Sequence, residues 1–144
     1  MTTISKSALI SYSTDKMFDL VADVDSYEQF LPWCNSSQVV KQTEDEVTGR
    51  IEVKHSGLHK TFTTLNRMQK NKIIEIRLVE GPFKSLQGYW QFKALDENSC
   101  KISLDLEFEF SNKLVGMAFG PVFSQMANTM VDAFCKRAVD VYAS

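Results

Sequence analysis

Proline and glycine are scarce in this 144-residue chain, at three and six residues. No Pro/Gly/Ser-rich linker, repeat or low-complexity tract divides it. Pro32, Pro82 and Pro121 fall between expected elements, so a single domain over residues 1–144 is the expectation. Cys34, Cys100 and Cys135 are odd in number, widely spaced and without a CxxC pair, which speaks against a disulfide framework or a zinc site and for reduced, buried thiols. No apolar run approaches the roughly 20 residues of a bilayer span, which leaves at most peripheral membrane contact. Met1-Thr2-Thr3-Ile4-Ser5-Lys6 has neither a basic leader with an apolar run nor an Arg-rich transit pattern, so the expected compartment is the cytoplasm. Positive charge is not in excess either. A net charge of −2 and a pI near 5.7 make DNA an unexpected partner and require a local patch for any RNA contact.

Catalytic and metal motifs are missing as well. The two histidines, His55 and His59, are four apart, but Ser56-Gly57 between them implies a hairpin tip rather than a helix. With no Asp, Glu or Cys expected beside them, they read as solvent-facing turn residues rather than ligands or acid/base groups. No GxSxG or equivalent appears, and Glu107 and Glu109 alternate onto the polar face of a strand. The expectation is a protein that is not an enzyme and holds no metal.

What is present is pattern. Ile4, Ala8, Ile10 and Tyr12 at even positions predict a half-buried strand over residues 4–12. Ser13-Thr14-Asp15 then supplies helix-starting oxygens for a short helix carrying Met17, Phe18 and Val21. Asp25-Ser26-Tyr27-Glu28 reads as a capping box opening a second short helix that Pro32 ends. Residues 39–110 predict six strands separated by Ser56-Gly57, Gln69-Lys70-Asn71, Asp96-Glu97-Asn98 and similar turns, hence an antiparallel meander. In the last strand Ile102, Leu104, Leu106, Phe108 and Phe110 alternate with Lys101, Ser103, Asp105, Glu107 and Glu109. The period then becomes helical, with Phe119, Phe123, Met126, Met130, Phe134, Ala138 and Val141 on one face. Gly120-Pro121 predicts the start of that helix, with a short helix before it. Seven antiparallel strands with one greasy face need a cover, and only the C-terminal helix is long enough to supply it.

Three segments together carry a resemblance: Tyr27-Glu28-Gln29-Phe30-Leu31-Pro32-Trp33-Cys34; Val79-Glu80-Gly81-Pro82-Phe83-Lys84-Ser85-Leu86-Gln87-Gly88-Tyr89-Trp90-Gln91-Phe92; and Phe119-Gly120-Pro121-Val122-Phe123 continuing to Val131-Asp132-Ala133-Phe134-Cys135-Lys136-Arg137-Ala138. In this order and over nearly the whole chain they resemble the coenzyme Q-binding protein and ribosome association toxin RatA family, within the START-like (polyketide cyclase-like, SRPBCC) superfamily. The resemblance implies an α+β helix-grip fold: a seven-stranded curved antiparallel sheet around a long C-terminal helix, two short helices after the first strand, and a cavity between sheet and helix.

Two functions follow from that resemblance. One is non-enzymatic binding of ubiquinone or another polyprenyl lipid in support of respiration, the lipid being a ligand rather than a resident cofactor. The other is that of a toxin, paired with a small antitoxin protein, that binds the large ribosomal subunit and blocks subunit association. For the first, the expected walls are Phe30, Trp33, Phe83, Leu86, Trp90, Leu104, Leu106, Phe119, Phe123, Met126, Met130 and Phe134, with Phe83 and Leu86 in a lid and each tryptophan offering one N–H donor. For the second, Lys54, Lys60, Arg67, Lys70 and Lys72 are the expected phosphate-contacting residues around adjacent hairpins, diluted by Glu44, Asp45, Glu46 and Glu52.

Overall fold

The computed structural model describes residues 1–55 and 57–143. Ser56, part of the expected Ser56-Gly57 turn, lies outside the described residues. In chain order the elements are β1 (Thr2–Ile10), α1 (Thr14–Ala22), a 3₁₀ helix (Val24–Gln29), β2 (Cys34–Gln42), β3 (Glu46–His55), β4 (Leu58–Gln69), β5 (Ile73–Glu80), β6 (Phe83–Asp96), β7 (Ser99–Phe110) and α2 (Lys113–Tyr142). The strands form one antiparallel sheet in the order β1-β7-β6-β5-β4-β3-β2. This is the α+β helix-grip architecture expected above, and it follows from alternation and turn chemistry. Cys100, Ile102, Leu104, Leu106 and Phe108 of β7 are all buried, and Phe108 meets Phe123 of α2 with ring centroids 4.7 Å apart. Short turns make successive strands neighbours: Asn71 adopts a φ of 65° between β4 and β5, and Asp96 Oδ1 accepts from the Asn98 N–H at 2.8 Å between β6 and β7.

The sheet bends because its pairing is interrupted. Register shifts occur at Thr63/Thr64 between β4 and β5, and at Phe83/Ser85 and Ala94/Asp96 between β6 and β7. Gly88 lies between Leu86 and Trp90 on the inward face of β6. A Cβ there would sit 2.1 Å from the Asp105 carbonyl oxygen, so β6 approaches β7 in a way that excludes any side chain at this position.

Two local expectations are corrected. First, α2 starts at Lys113 and runs unbroken for 30 residues, about 45 Å at 1.5 Å each, with Pro121 inside it. The Asn112 side chain caps it, accepting from the Val115 N–H at 2.9 Å, and Phe119 packs on Phe110 and Phe83 at 5.8 and 6.0 Å. That packing holds together the turns ahead of the proline, which propensity alone disfavours. The buried stripe of α2 also includes Ala127 and Val131, while Val141 is exposed. Second, Asp25-Ser26-Tyr27-Glu28 is not a capping box. Asp25 Oδ1 accepts from the Val39 N–H at 2.9 Å and Ser26 donates to Asp23 Oδ2 at 2.6 Å, so these residues tie the 3₁₀ helix to β2 and to its own first turn.

Candidate functional site

Between the concave face of the sheet and α2 lies a cavity of about 90 Å³. The sheet contributes Ile51, Phe62, Thr64, Asn66, Ile74, Ile76, Leu86, Trp90, Leu104 and Leu106 to its wall, and α2 contributes Phe123, Met126, Ala127 and Met130. Val21, Tyr27 and Trp33 close the side next to α1 and the 3₁₀ helix. The alternation of five neighbouring strands brings these residues onto one face, since the period of two sends every second side chain inward. No ionisable side chain other than the Tyr27 phenol lines the cavity. That phenol donates to the Val21 carbonyl oxygen, and burial pushes its pKa upward, so it stays neutral.

Of the expected walls, Trp33, Leu86, Trp90, Leu104, Leu106, Phe123, Met126 and Met130 line the cavity, whereas Phe30, Phe83, Phe119 and Phe134 do not. Phe83, expected in a lid, is 6% exposed and stacks in a cluster with Phe108, Phe110, Phe119 and Phe123 that fills one end of the space. Phe134 backs the other end, packed edge-on against Trp90, Tyr27 and Phe30 at 5.2 to 5.3 Å. Thr64 and Asn66 are wall residues that the expected set lacked. Their signal was present in β4, where inward Leu58, Phe62 and Met68 put positions 64 and 66 on the same face.

Outside the cavity, an open groove of about 650 Å³ runs between residues 29–33, His55 and the outer flank of α2. Phe30, Leu31, Pro32, Val122 and Ala133 give it an apolar floor; Asp132, Lys136, Arg137 and Asp140 supply the charged residues. Arg137 donates to Gln29 Oε1 at 2.9 Å and sits 5.1 Å from the Phe30 ring centre, fixing the 3₁₀ segment to the helix. Trp33 and Met126 line both groove and cavity, so they form the partition between the two.

The five basic residues do not gather. Lys54 and Lys60 lie at the β3–β4 end of the hairpin, and Arg67, Lys70 and Lys72 at the β4–β5 end. About ten residues at 3.3 Å separate them, roughly 30 Å. Lys60 also shares the inward face with buried Val53, its register partner, whereas Arg67 is outward and bonded to Glu46 at 3.1 Å. His59 is not free of carboxylates as expected: its Nε2 is 3.1 Å from Glu52 Oε2. Hydrogen bonds from Asn35 and then His59 hold the Glu52 carboxyl below its ordinary range. Among the described residues no group of three His, Cys, Asp or Glu side chains is arranged to hold a metal. Burial raises the Cys34 and Cys100 thiols to about 11, in keeping with inert structural cysteines.

The family model described as polyketide cyclase / dehydrase and lipid transport matches residues 10–135. The chain belongs to this family. Within it, the chain groups with the RatA and coenzyme Q-binding proteins. It is 46% identical over 144 residues to the ribosome association toxin RatA of Escherichia coli (strain K12), covering 100% of this chain and 91% of that one. It is 27% identical over 144 residues to the mitochondrial coenzyme Q-binding protein COQ10 homolog B of Xenopus laevis, covering 96% of this chain and 58% of that one. Among solved structures, the Zhui aromatase/cyclase from Streptomyces sp. R1128 superposes with a TM-score of 0.84 at 17% identity, over 99% of this chain and 96% of that one, a likeness of fold alone. Among the described residues of this family member, no helix is long and apolar enough to cross a membrane.

Proposed function

We propose that this protein is a non-enzymatic, cytoplasmic binder of an uncharged, largely apolar ligand of the polyprenyl quinone type, held between the sheet and α2. The cavity wall carries this reading: it is apolar apart from Thr64, Asn66 and the Tyr27 hydroxyl, has no charged side chain, and shares Trp33 and Met126 with a solvent-facing groove. A ring-bearing head group belongs in the cavity and a prenyl tail in the groove. Each buried CH₂ contributes about 0.8 kcal/mol, so one isoprenoid unit already favours the protein over water by several kcal/mol.

At about 90 Å³ the cavity is well below the roughly 300–1,000 Å³ of sites for drug-sized ligands, so binding requires the walls to move. Met126 and Met130 are unbranched side chains suited to that movement. Native mass spectrometry and organic extraction of protein purified from a quinone-producing host test the reading, alongside a cavity-filling Ala127→Leu, Met130→Trp double variant. Co-purified quinone that disappears in the variant supports it; no lipid in either protein sinks it.

A second reading rests on a separate observation, the ribosome association toxin name of the 46%-identical relative. In it the protein binds the large ribosomal subunit through its outer surface and is held in check by a small antitoxin protein. Of the basic residues, Arg67, Lys70 and Lys72 are those brought to one end of the sheet. Sucrose-gradient profiles test it: added protein shifts intact ribosomes to free subunits, and an Arg67→Glu, Lys70→Glu, Lys72→Glu variant loses that effect. Because the cavity and this surface share no residues, ligand and ribosome binding are separable by mutation.

A further inference from the structure

The cavity wall is apolar except at a few points, and one of them is a built pair. Thr64 and Asn66 alternate on the inward face of β4, with Asn66 set between Val47 and Ile76 of the flanking strands. They are 8% and 9% exposed, and both line the cavity. The Thr64 hydroxyl donates to Asn66 Oδ1 at 2.9 Å. With its carbonyl oxygen engaged, the Asn66 amide is fixed in orientation, and its Nδ2 group makes no hydrogen bond to any of the described residues. Asn66 is 9% exposed as a residue, but its Nδ2 is not one of the sealed polar atoms without a partner, so this donor keeps accessible surface at the cavity wall, where a leucine of similar branching would offer none.

Besides this pair, Trp33 and Trp90 bring an indole N–H each to the lining residues, and the remaining donors and charges are placed elsewhere. Tyr27 spends its hydroxyl on the Val21 carbonyl. Arg67, next along the strand, points to the opposite face and is held by Glu46. No cation lines the cavity to match a carboxylate or a phosphate. The donor set is therefore suited to a neutral acceptor oxygen and mismatched to an anionic head group.

We infer that the Thr64–Asn66 pair is the polar anchor of the cavity: Asn66 Nδ2 donates to a carbonyl or ether oxygen of an otherwise apolar ligand, and Thr64 holds the amide in the donating orientation. The pair thereby selects oxygen-bearing rings over plain hydrocarbon. This inference rests on the ligand-binding reading above and adds a chemical specificity to it.

The test uses two probes of similar shape, decylubiquinone and n-decylbenzene, titrated against the full chain while following the fluorescence of Trp33 and Trp90, both of which border the cavity. Asn66→Leu is expected to weaken decylubiquinone about 10- to 30-fold and to leave n-decylbenzene within about 2-fold. Thr64→Val, which keeps the shape but frees the amide, is expected to weaken decylubiquinone by about 3-fold. Infrared spectra supply an independent readout: the bound quinone C=O stretch lies at lower frequency in the wild type and returns towards its unbonded value in Asn66→Leu. Equal weakening of both probes, or of neither, overturns the anchor while leaving ligand binding in place. If neither probe perturbs the wild-type tryptophans, the ligand-binding reading falls and the anchor with it. Should Asn66→Leu fail to fold, as judged by its thermal transition, Thr64→Val with the infrared measurement decides the matter.

Discussion

The space between the sheet and α2 has two ends built from similar material and finished differently. Near Pro121, Phe62, Phe83, Phe108, Phe110, Phe119 and Phe123 interlock with centroid separations of 4.7 to 6.5 Å and fill the gap. Towards Trp33 and Met130 the wall alternates large with small or polar groups, Trp90 beside Gly88 and Met130 beside Ala127, and a void remains. Apolar residues at inward positions therefore specify a fold but not whether it is solid. Solidity depends on how neighbouring volumes match across the gap, and rings set edge to face match well.

Breaking the solid end should cost most. Phe108→Ala is expected to lower unfolding free energy by about 3–5 kcal/mol in urea titrations, while leaving ligand binding at the other end largely intact in the folded fraction. Gly88→Ala comes next, at about 3 kcal/mol, because its Cβ meets the β7 backbone rather than a side chain that can turn aside. Met130→Ala at the hollow end should cost less, about 1–2 kcal/mol, since this half-buried side chain already borders empty space. A smaller effect sharpens the contrast at the surface. The depressed Glu52 carboxyl stabilises the fold above the ordinary glutamate range and loses that contribution as pH falls through its folded value. The Tm difference between wild type and Glu52→Gln should therefore be present at neutral pH and vanish in acid.

Much of this architecture is legible in the chain. The alternation of β7, the turns at Asn71 and Asn98 and the Phe/Met stripe of the C-terminal segment lead to the observed sheet and helix without further information. Local punctuation was less reliable: Pro121 reads as a helix start, but Phe119 packing and the Asn112 cap carry the helix through it. Asp25 reads as a cap and instead serves a strand N–H. In the candidate site, strand alternation supplies Leu104 and the helical stripe Met126, and both line the cavity together with Trp33 and Trp90, which enter through the resemblance. Pattern alone could not tell that Phe83 and Phe119 fall in the filled end, because that depends on the register between α2 and the sheet. Clustering of lysines and arginine was misjudged for a similar reason, since β4 is long enough to hold Lys60 and Arg67 far apart.

Pro121 has a mechanical consequence. It removes the amide that would bind the Met117 carbonyl, leaving α2 one rung short within the ring-packed end. Phe119 before the proline and Phe123 after it are both locked among the phenylalanines, and the roof of the void runs on from Phe123 through Met126, Ala127 and Met130. A helix with a missing rung there acts as two beams joined by a compliant splice. Phe123 pins the far side of the splice to the rings, so the ladder is weakest in the single turn around Pro121, and amide exchange faster there than within either beam is the expected record of it.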